Sequence, residues 1–327
     1  MVFEGCEKRL EMQFEQRGSA TMRAHSVSAW IDVVAAAGAV VLSHTEETEF
    51  DAYVLSESSL FVYDGCVVLI TCGQTRIFAA ITGVLELARS SQMALSTLCY
   101  SHRDFAFPQL QAPEHQSVQG EREALARLFP DGFYSTLGAQ QRRQWHAFTC
   151  ARLARTDRPL LAVYMEGIPQ HACAHFEQSS PVVSGADMAR RAGVDACVAA
   201  YGRSIDAHAF SPCGLSVNGA MHEGGGHWTL HVTPEHANSY VSFEAVADRR
   251  SHPGLVRALL ALFEPAAACV LTRSVLAPQS IQVPHYTQSE VESGVLLGDL
   301  PVSLRSYARA LRTHDRQLES SAKSSNK

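Results

Sequence analysis

The chain reads as an α+β protein built on antiparallel strands, and three features carry that reading. Residues 8–15 alternate, with Leu10, Met12 and Phe14 on one side and Glu11, Gln13 and Glu15 on the other, which predicts a strand with one face in water. Apolar runs on either side of Asp64-Gly65 form a strong short-range hairpin signal. Stretches of helical period fall between groups of strands instead of after every strand, which argues against a parallel doubly wound sheet. With 327 residues, 46% of them hydrophobic and 18% charged, the chain can bury a sizeable core.

In chain order, residues 28–37 have helical character behind Ser26 or Ser28 and stop at Gly38, and Val40-Val41-Leu42 opens a strand. The runs at 52–62 and 66–70 flank the hairpin turn. Ile77, Ile81, Val84 and Leu87 predict a helix over 75–88 with Thr75 as its cap. A strand is expected at 94–100, a short helix at 121–128 ended by Pro130-Asp131-Gly132, and strands at 145–153 and 159–165. Ser184 and Asp187 are placed as a capping box for a helix at 184–192. Trp228, Leu230 and Val232 alternate with Thr229, His231 and Thr233, which puts His231 on the polar face of a strand. A helix at 251–263 has Ser251 as cap and Pro253 in its first turn, and strands at 269–275 and 301–308 complete a single domain over 1–313. Residues 314–327 are polar, rich in Ser and Lys, and expected to be a disordered tail.

Composition excludes several classes of function. A formal net charge of −6 offers no basic patch for nucleic acid. No apolar run reaches transmembrane length, and the first residues do not form a signal peptide, so a cytoplasmic protein is expected. Nine cysteines without a CxxC pair fit reduced thiols in that compartment. His171, Cys173 and His175 alternate and would share one face of a strand, and His222, His227 and His231 are close in sequence. Neither group has the spacing of a common structural zinc site, so no metal is expected.

Four stretches concentrate residues able to do chemistry. They are Phe3-Glu4-Gly5-Cys6-Glu7-Lys8; Tyr53-Val54-Leu55-Ser56-Glu57-Ser58-Ser59-Leu60-Phe61-Val62; Thr71-Cys72-Gly73; and the region 204–244. The last holds Phe210-Ser211-Pro212-Cys213-Gly214-Leu215-Ser216-Val217-Asn218-Gly219, then 228–235 ending in Glu235, then Tyr240-Val241-Ser242-Phe243-Glu244. The residues alone leave each open. Ser-Glu-Ser-Ser is a hydrogen-bonded kink in an edge strand or a nucleophile; Cys72 is a buried inert thiol or a proton donor. His231 is a satisfied strand histidine or a base, and the amino terminus is a frayed end with one exposed aromatic or part of a site.

Together and in this order, the blocks resemble the eukaryotic S-adenosylmethionine decarboxylases, pyruvoyl enzymes of polyamine synthesis, over residues 3 to about 308. The resemblance implies a four-layer αββα sandwich of two antiparallel sheets. It also implies self-cleavage between Glu57 and Ser58 into a 1–57 β chain and a 58–327 α chain. The Ser58 hydroxyl would attack the Glu57 carbonyl and exchange an amide for an ester, which requires a tightly held peptide, a base and oxyanion donors. Elimination, tautomerisation and hydrolysis then release ammonia and leave a pyruvoyl group at residue 58. That group is the cofactor, and no exogenous one is implied.

The same resemblance assigns roles. Cys72 is the proton donor in decarboxylation, and a neutral thiol suits that task. His231 is the base for the α-proton in ester elimination, with Ser216 assisting around the ester. Glu235 holds the ribose hydroxyls, Phe3 and Phe210 stack on the adenine, and Glu7, Leu55 and Glu57 complete the substrate site. The ketone forms a Schiff base with the amine of S-adenosyl-L-methionine and draws electrons as carbon dioxide leaves; the product supplies aminopropyl groups for spermidine and spermine. The partners implied are the substrate, the two chains for each other, and a second copy in a homodimer. A catalytically dead paralogue that activates a partner decarboxylase is the alternative, and the presence of every processing residue argues against it. Animal-type members are stimulated by putrescine in an acidic pocket between the sheets. Here Arg9 stands beside Glu11, and Arg158 and Ala162 stand where animal members have acidic residues. Arg9 and Arg158 are therefore expected to neutralise Glu11 and Glu244, and no stimulation by putrescine is expected.

Overall fold

The computed structural model describes residues 4–15, 18–56, 58–138, 144–151, 159–178, 182–235, 238–246, 249–274, 280–296 and 300–310. Phe3, Glu57, Arg158 and the expected tail at 314–327 lie outside the described residues.

Strands β1 (Lys8–Glu15), β2 (Val41–Glu46), β3 (Phe50–Leu55), β4 (Ser58–Tyr63), β5 (Cys66–Thr71), β6 (Ala94–Arg103), β7 (Phe133–Leu137) and β8 (Trp145–Ala151) form one sheet. Its order is β2-β3-β4-β5-β1-β6-β8-β7. The second sheet contains β9 (Leu160–Glu166), β10 (Gly202–Ala209), β11 (Leu215–Met221), β12 (His227–Thr233), β13 (Tyr240–Val246), β14 (Ala267–Arg273), β15 (Tyr286–Leu296) and β16 (Leu300–Arg309). Its order is β10-β11-β12-β13-β9-β14-β16-β15, the same wiring repeated eight strands later. Each sheet is antiparallel throughout.

Helices α1 (Val27–Ala36), α2 (Phe78–Ser90) and α3 (Val118–Leu128) cover the outer face of the first sheet. Trp30, Ile81 and Leu125 from these helices share a core with Leu10, Met12, Leu60 and Val62 of the strands. On the second sheet, α4 (Gln170–Cys173), α5 (Gly185–Arg191), α6 (Val194–Val198) and α7 (His252–Phe263) do the same. Met188, Val194, Leu255 and Leu259 pack there on Val163, Val217, Leu230 and Phe243. The inner faces meet each other, which gives the expected αββα sandwich. Between them lie two apolar clusters, one with Phe50, Phe61 and Ile70, the other with Trp145, Tyr164 and Leu271.

Several expectations are corrected. The second face of β1 is not in water: Arg9 and Glu11 are each 3% exposed and point at the other sheet. Alternation reports a change of environment from residue to residue, and a polar layer between sheets produces the same pattern as solvent. Ser26, not Ser28, caps α1 by accepting from the Ala29 amide. Thr75 does not cap α2, which begins at Phe78; its hydroxyl lies 2.8 Å from Thr71 Oγ1 and 2.9 Å from the Cys72 carbonyl instead. The third helix starts at Val118, with Ser117 accepting from the Gly120 amide. Ser184 caps α5 as expected, whereas Ser251 makes no side-chain cap to α7. His171, Cys173 and His175 lie in a helical turn, not a strand, because Ala172, Cys173 and Phe176 supply a buried helical stripe. His171 meets Glu264 at 3.5 Å, and among the described residues no cluster suited to a metal ion forms. Strands β7, β10, β11 and β15 were not expected.

Candidate active site

The site lies where β4 of one sheet faces β11 and β12 of the other. Alternation would send Ser58 the way of Leu60 and Val62, into the helix-side core. Ser58 instead opens β4 with φ of +136°, a backbone region that a residue with a Cβ rarely enters. Its Oγ consequently lies between the sheets, 3.0 Å from His231 Nε2 and 3.2 Å from Glu7 Oε1. Such strain is retained only where the surroundings hold it, and here it bears on the residue whose preceding peptide bond is the expected cut.

His231 is presented by β12 at the position opposite Ser216 of β11. The Ser216 hydroxyl is 2.8 Å from Nδ1, and Thr229 Oγ1 is 2.8 Å from Nε2. Ser59 Oγ approaches Nε2 at 3.3 Å and donates to Asn218 Oδ1 at 2.6 Å. Thr229 Oγ1 donates to the same Oδ1 at 3.0 Å, while Asn218 Nδ2 donates to the Tyr53 carbonyl at 3.1 Å. Burial pulls the imidazole down to about 3, against the opposing charge of Glu244, so the ring is neutral at neutral pH. Burial also pushes Glu7 up to about 8, with the Glu244 charge adding and the Ser242 and Ser58 hydroxyls opposing.

A cleft of about 290 Å³ opens beside this group, near the lower end of ligand-pocket sizes. Ser58, Cys72, Ser216, His231, Phe210 and Glu235 all line it. The loop from Phe210 to Gly214 forms one wall, closed by hydrogen bonds from the Phe210 amide to the Gly214 carbonyl and from the Gly214 amide to the Phe176 carbonyl. Cys72 follows β5 in a turn that Gly73 makes at φ of +62°. That turn is pinned twice: the Gly73 amide donates to the Glu4 carbonyl, and the buried Lys8 ammonium donates to the Gly73 carbonyl at 2.9 Å. Leu55 is fully buried in the core against the helices, so its side chain is not part of the cleft wall. A larger cavity of about 420 Å³, on the helix side of the second sheet beside α7, contains none of these residues.

Glu11 and Glu244 lie in a second polar patch between the sheets. Arg9 bridges them, at 2.6 Å from Glu11 and 2.7 Å from Glu244, and Arg273 of β14 meets Glu11 at 2.6 Å. Burial opposes every charge here, and the opposite charges prevail: Arg273 and Arg9 hold Glu11 well below the usual carboxylate range, and Arg9 lowers Glu244. Ala162 faces Glu244 across the β9–β13 pairing. Arg273 was not singled out in the sequence, nor were Ser59, Asn218 and Thr229. For the last three the only available signal was their position on the polar side of an alternating strand.

A sequence profile described as adenosylmethionine decarboxylase matches residues 1–298. The chain belongs to that family. Among its relatives, the S-adenosylmethionine decarboxylase proenzyme of Xenopus laevis is 32% identical over 80% of this chain and 80% of its own length. The proenzyme of Caenorhabditis elegans is 32% identical over 80% of this chain and 74% of its own. That of Ipomoea nil is 34% identical over 81% and 76%. In the crystal structure of the Trypanosoma brucei AdoMetDC-delta26 monomer the fold recurs with a TM-score of 0.60 at 19% identity, covering 77% of this chain and 99% of that one. Among the described residues no helix is long and apolar enough to cross a membrane.

Proposed function

We propose that this chain is a proenzyme that cuts itself before Ser58 and then decarboxylates S-adenosyl-L-methionine. Decarboxylation is the reaction of its family, and the relatives of like length are named as proenzymes. The observation that carries the assignment to Ser58 is its strained backbone together with the 3.0 Å contact between its hydroxyl and a neutral imidazole. In the first step Ser58 Oγ bonds to the Glu57 carbonyl carbon, the peptide C–N bond breaks, and the hydroxyl proton ends on the freed nitrogen. Glu7 and His231 are both within reach of that proton. In the second step His231 takes the Ser58 α-proton, the Cβ–Oγ bond breaks, and Glu57 leaves as a carboxylate. Hydrolysis of the resulting dehydroalanine releases ammonia. The pyruvoyl group so formed supplies the electron sink for decarboxylation.

The residues around the cleft divide the remaining work. Glu235 offers two acceptor oxygens to the ribose hydroxyls, and Phe210 offers a ring face to the adenine. Cys72 returns a proton to the substrate carbon. Arg9 and Arg273 neutralise Glu11 and Glu244 internally, which leaves no net negative pocket for a diamine. The inactive-regulator alternative is not favoured, since Ser58 and Ser216 each contact the His231 ring. Intact mass after expression tests the reading. Two fragments divided at Glu57-Ser58 are expected from the wild type and one chain from Ser58→Ala; a Ser58→Ala protein that still splits at this bond overturns it.

A further inference from the structure

We infer that Asn218 is a positioning residue for self-processing, which turns the Thr229 and Ser59 hydroxyls so that their oxygens accept from His231 Nε2. The inference rests on the self-cleavage reading above and extends it to residues that touch neither the scissile bond nor the substrate cleft.

The argument is a count of protons. Three hydroxyls surround Nε2: Ser58 at 3.0 Å, Thr229 at 2.8 Å and Ser59 at 3.3 Å. Each has one proton to donate. Asn218 Oδ1 has two lone pairs, and it stands 2.6 Å from Ser59 Oγ and 3.0 Å from Thr229 Oγ1. It therefore takes both of those protons. The oxygens of Thr229 and Ser59 are left with lone pairs facing Nε2, and Ser58 alone retains a proton for the ring. The amide cannot rotate out of this role, because its Nδ2 donates to the Tyr53 carbonyl at 3.1 Å. That bond fixes which end of the side chain is the acceptor. Asn218, Thr229 and Ser59 are all completely buried, so water does not compete for these bonds.

The consequence is chemical. An imidazole buried away from water is a poor base, because its protonated form loses hydration. In the tautomer whose Nδ1–H donates to the Ser216 hydroxyl, Nε2 holds the lone pair, and two pre-aimed acceptors there stabilise the N–H that appears when the ring takes a proton, which is stabilisation confined to the reacting state. Without the Asn218 carbonyl the acceptors left to the Thr229 hydroxyl are Nε2 at 2.8 Å, the Val217 carbonyl at 3.2 Å and Ser59 Oγ at 3.2 Å. The hydroxyl would then cap the lone pair that has to receive the proton.

The test is a double-mutant cycle on self-cleavage, followed by gel, with hydroxylamine added to trap uneliminated ester. Asn218→Leu is expected to slow processing about tenfold or more and to accumulate hydroxylamine-labile chain. Thr229→Val, which removes one acceptor but caps nothing, is expected to slow it less. The double variant Asn218→Leu with Thr229→Val is expected to process faster than Asn218→Leu alone but short of Thr229→Val, because the freed Ser59 hydroxyl still faces Nε2 at 3.3 Å. Asn218→Val removes the same oxygen with a side chain suited to a strand and is expected to slow processing as Asn218→Leu does; it carries the test if Asn218→Leu does not fold. Processing of Asn218→Leu or Asn218→Val at the wild-type rate overturns the inference, as does a double variant no faster than Asn218→Leu. A wild-type chain that never splits would instead overturn the self-cleavage reading beneath it.

Discussion

Two polar patches share the space between the sheets, both buried and opposite in electrical state. Around Ser58 the titratable groups are uncharged at neutral pH: His231 is pulled down to about 3 and Glu7 pushed up to about 8. Around Arg9 the groups are fully ionised, with two cations against two carboxylates. Burial acts in the same direction in both. The difference is the partner, since a buried group surrounded by hydroxyls sheds its charge and one touching a guanidinium keeps it. A proton can leave or arrive at the first patch without first breaking an ion pair. The second patch is locked and serves to hold the sheets together.

The largest effect should come from the base of the neutral patch. His231→Ala is expected to stop at the ester, because it removes the base for the Ser58 α-proton; hydroxylamine should then cleave the chain there. Cys72→Ala should instead cut within a few-fold of the wild-type rate and lose turnover by about a hundredfold or more. Normal processing and turnover in both variants would remove the division of roles. In the locked patch, Arg273→Met leaves Glu11 with half of its compensation. A loss of about 3 kcal/mol is expected, seen as a fall in melting temperature of roughly 5–10 °C. A fall below about 2 °C would mean that the ion cluster contributes little to stability.

The contrast is sharpened by pH. Glu7 has a folded pKa raised from 4.5 to about 8, so its protonated form is favoured by folding. Its contribution is complete below about 4.5 and is lost as pH rises through about 8. In the uncut Ser58→Ala background, adding Glu7→Gln should therefore raise stability relative to its parent as pH increases across that window, by at most about 1.4 kcal/mol per pH unit. Urea unfolding at the two ends of the window measures it, and a difference independent of pH would show that Glu7 is already ionised. The smallest expected effect is from millimolar putrescine, which should change neither processing nor decarboxylation by as much as about twofold. A severalfold stimulation would show that the arginines do not satisfy Glu11 and Glu244.

What could be read from the sequence was local. The Asp64-Gly65 turn, the Ser184 cap and the apolar faces of β1 and β12 depend on residues within a few positions of one another, and each is where it was expected. The αββα layering came from family resemblance, because a period of two cannot distinguish water from a second sheet. By alternation alone Glu11 reads as solvated, although it is buried against the opposite sheet, as is Asn218. Arg273 was illegible for a related reason: its partner Glu11 is 262 residues away. Glu121 was expected to open a helix. It lies inside α3 and accepts from the rings of His102 and His115, a role that needs β6 beside it. Ser58 was legible only through its motif, since its outlying backbone angle reverses the side on which alternation would place it.

The order of strands around the cut has a consequence for time. A chain severed before Ser58 leaves β1, β2 and β3 on the short piece. Strands β2 and β3 sit together at one edge, but β1 is threaded between β5 and β6, both of the long piece. The short piece thus enters the sheet at two separate places, and neither product retains a complete first sheet without the other. Folding must come before cutting, and the cut cannot be followed by release without dismantling that sheet. Such a nick would separate the covalent history of the two pieces and leave them as one woven body.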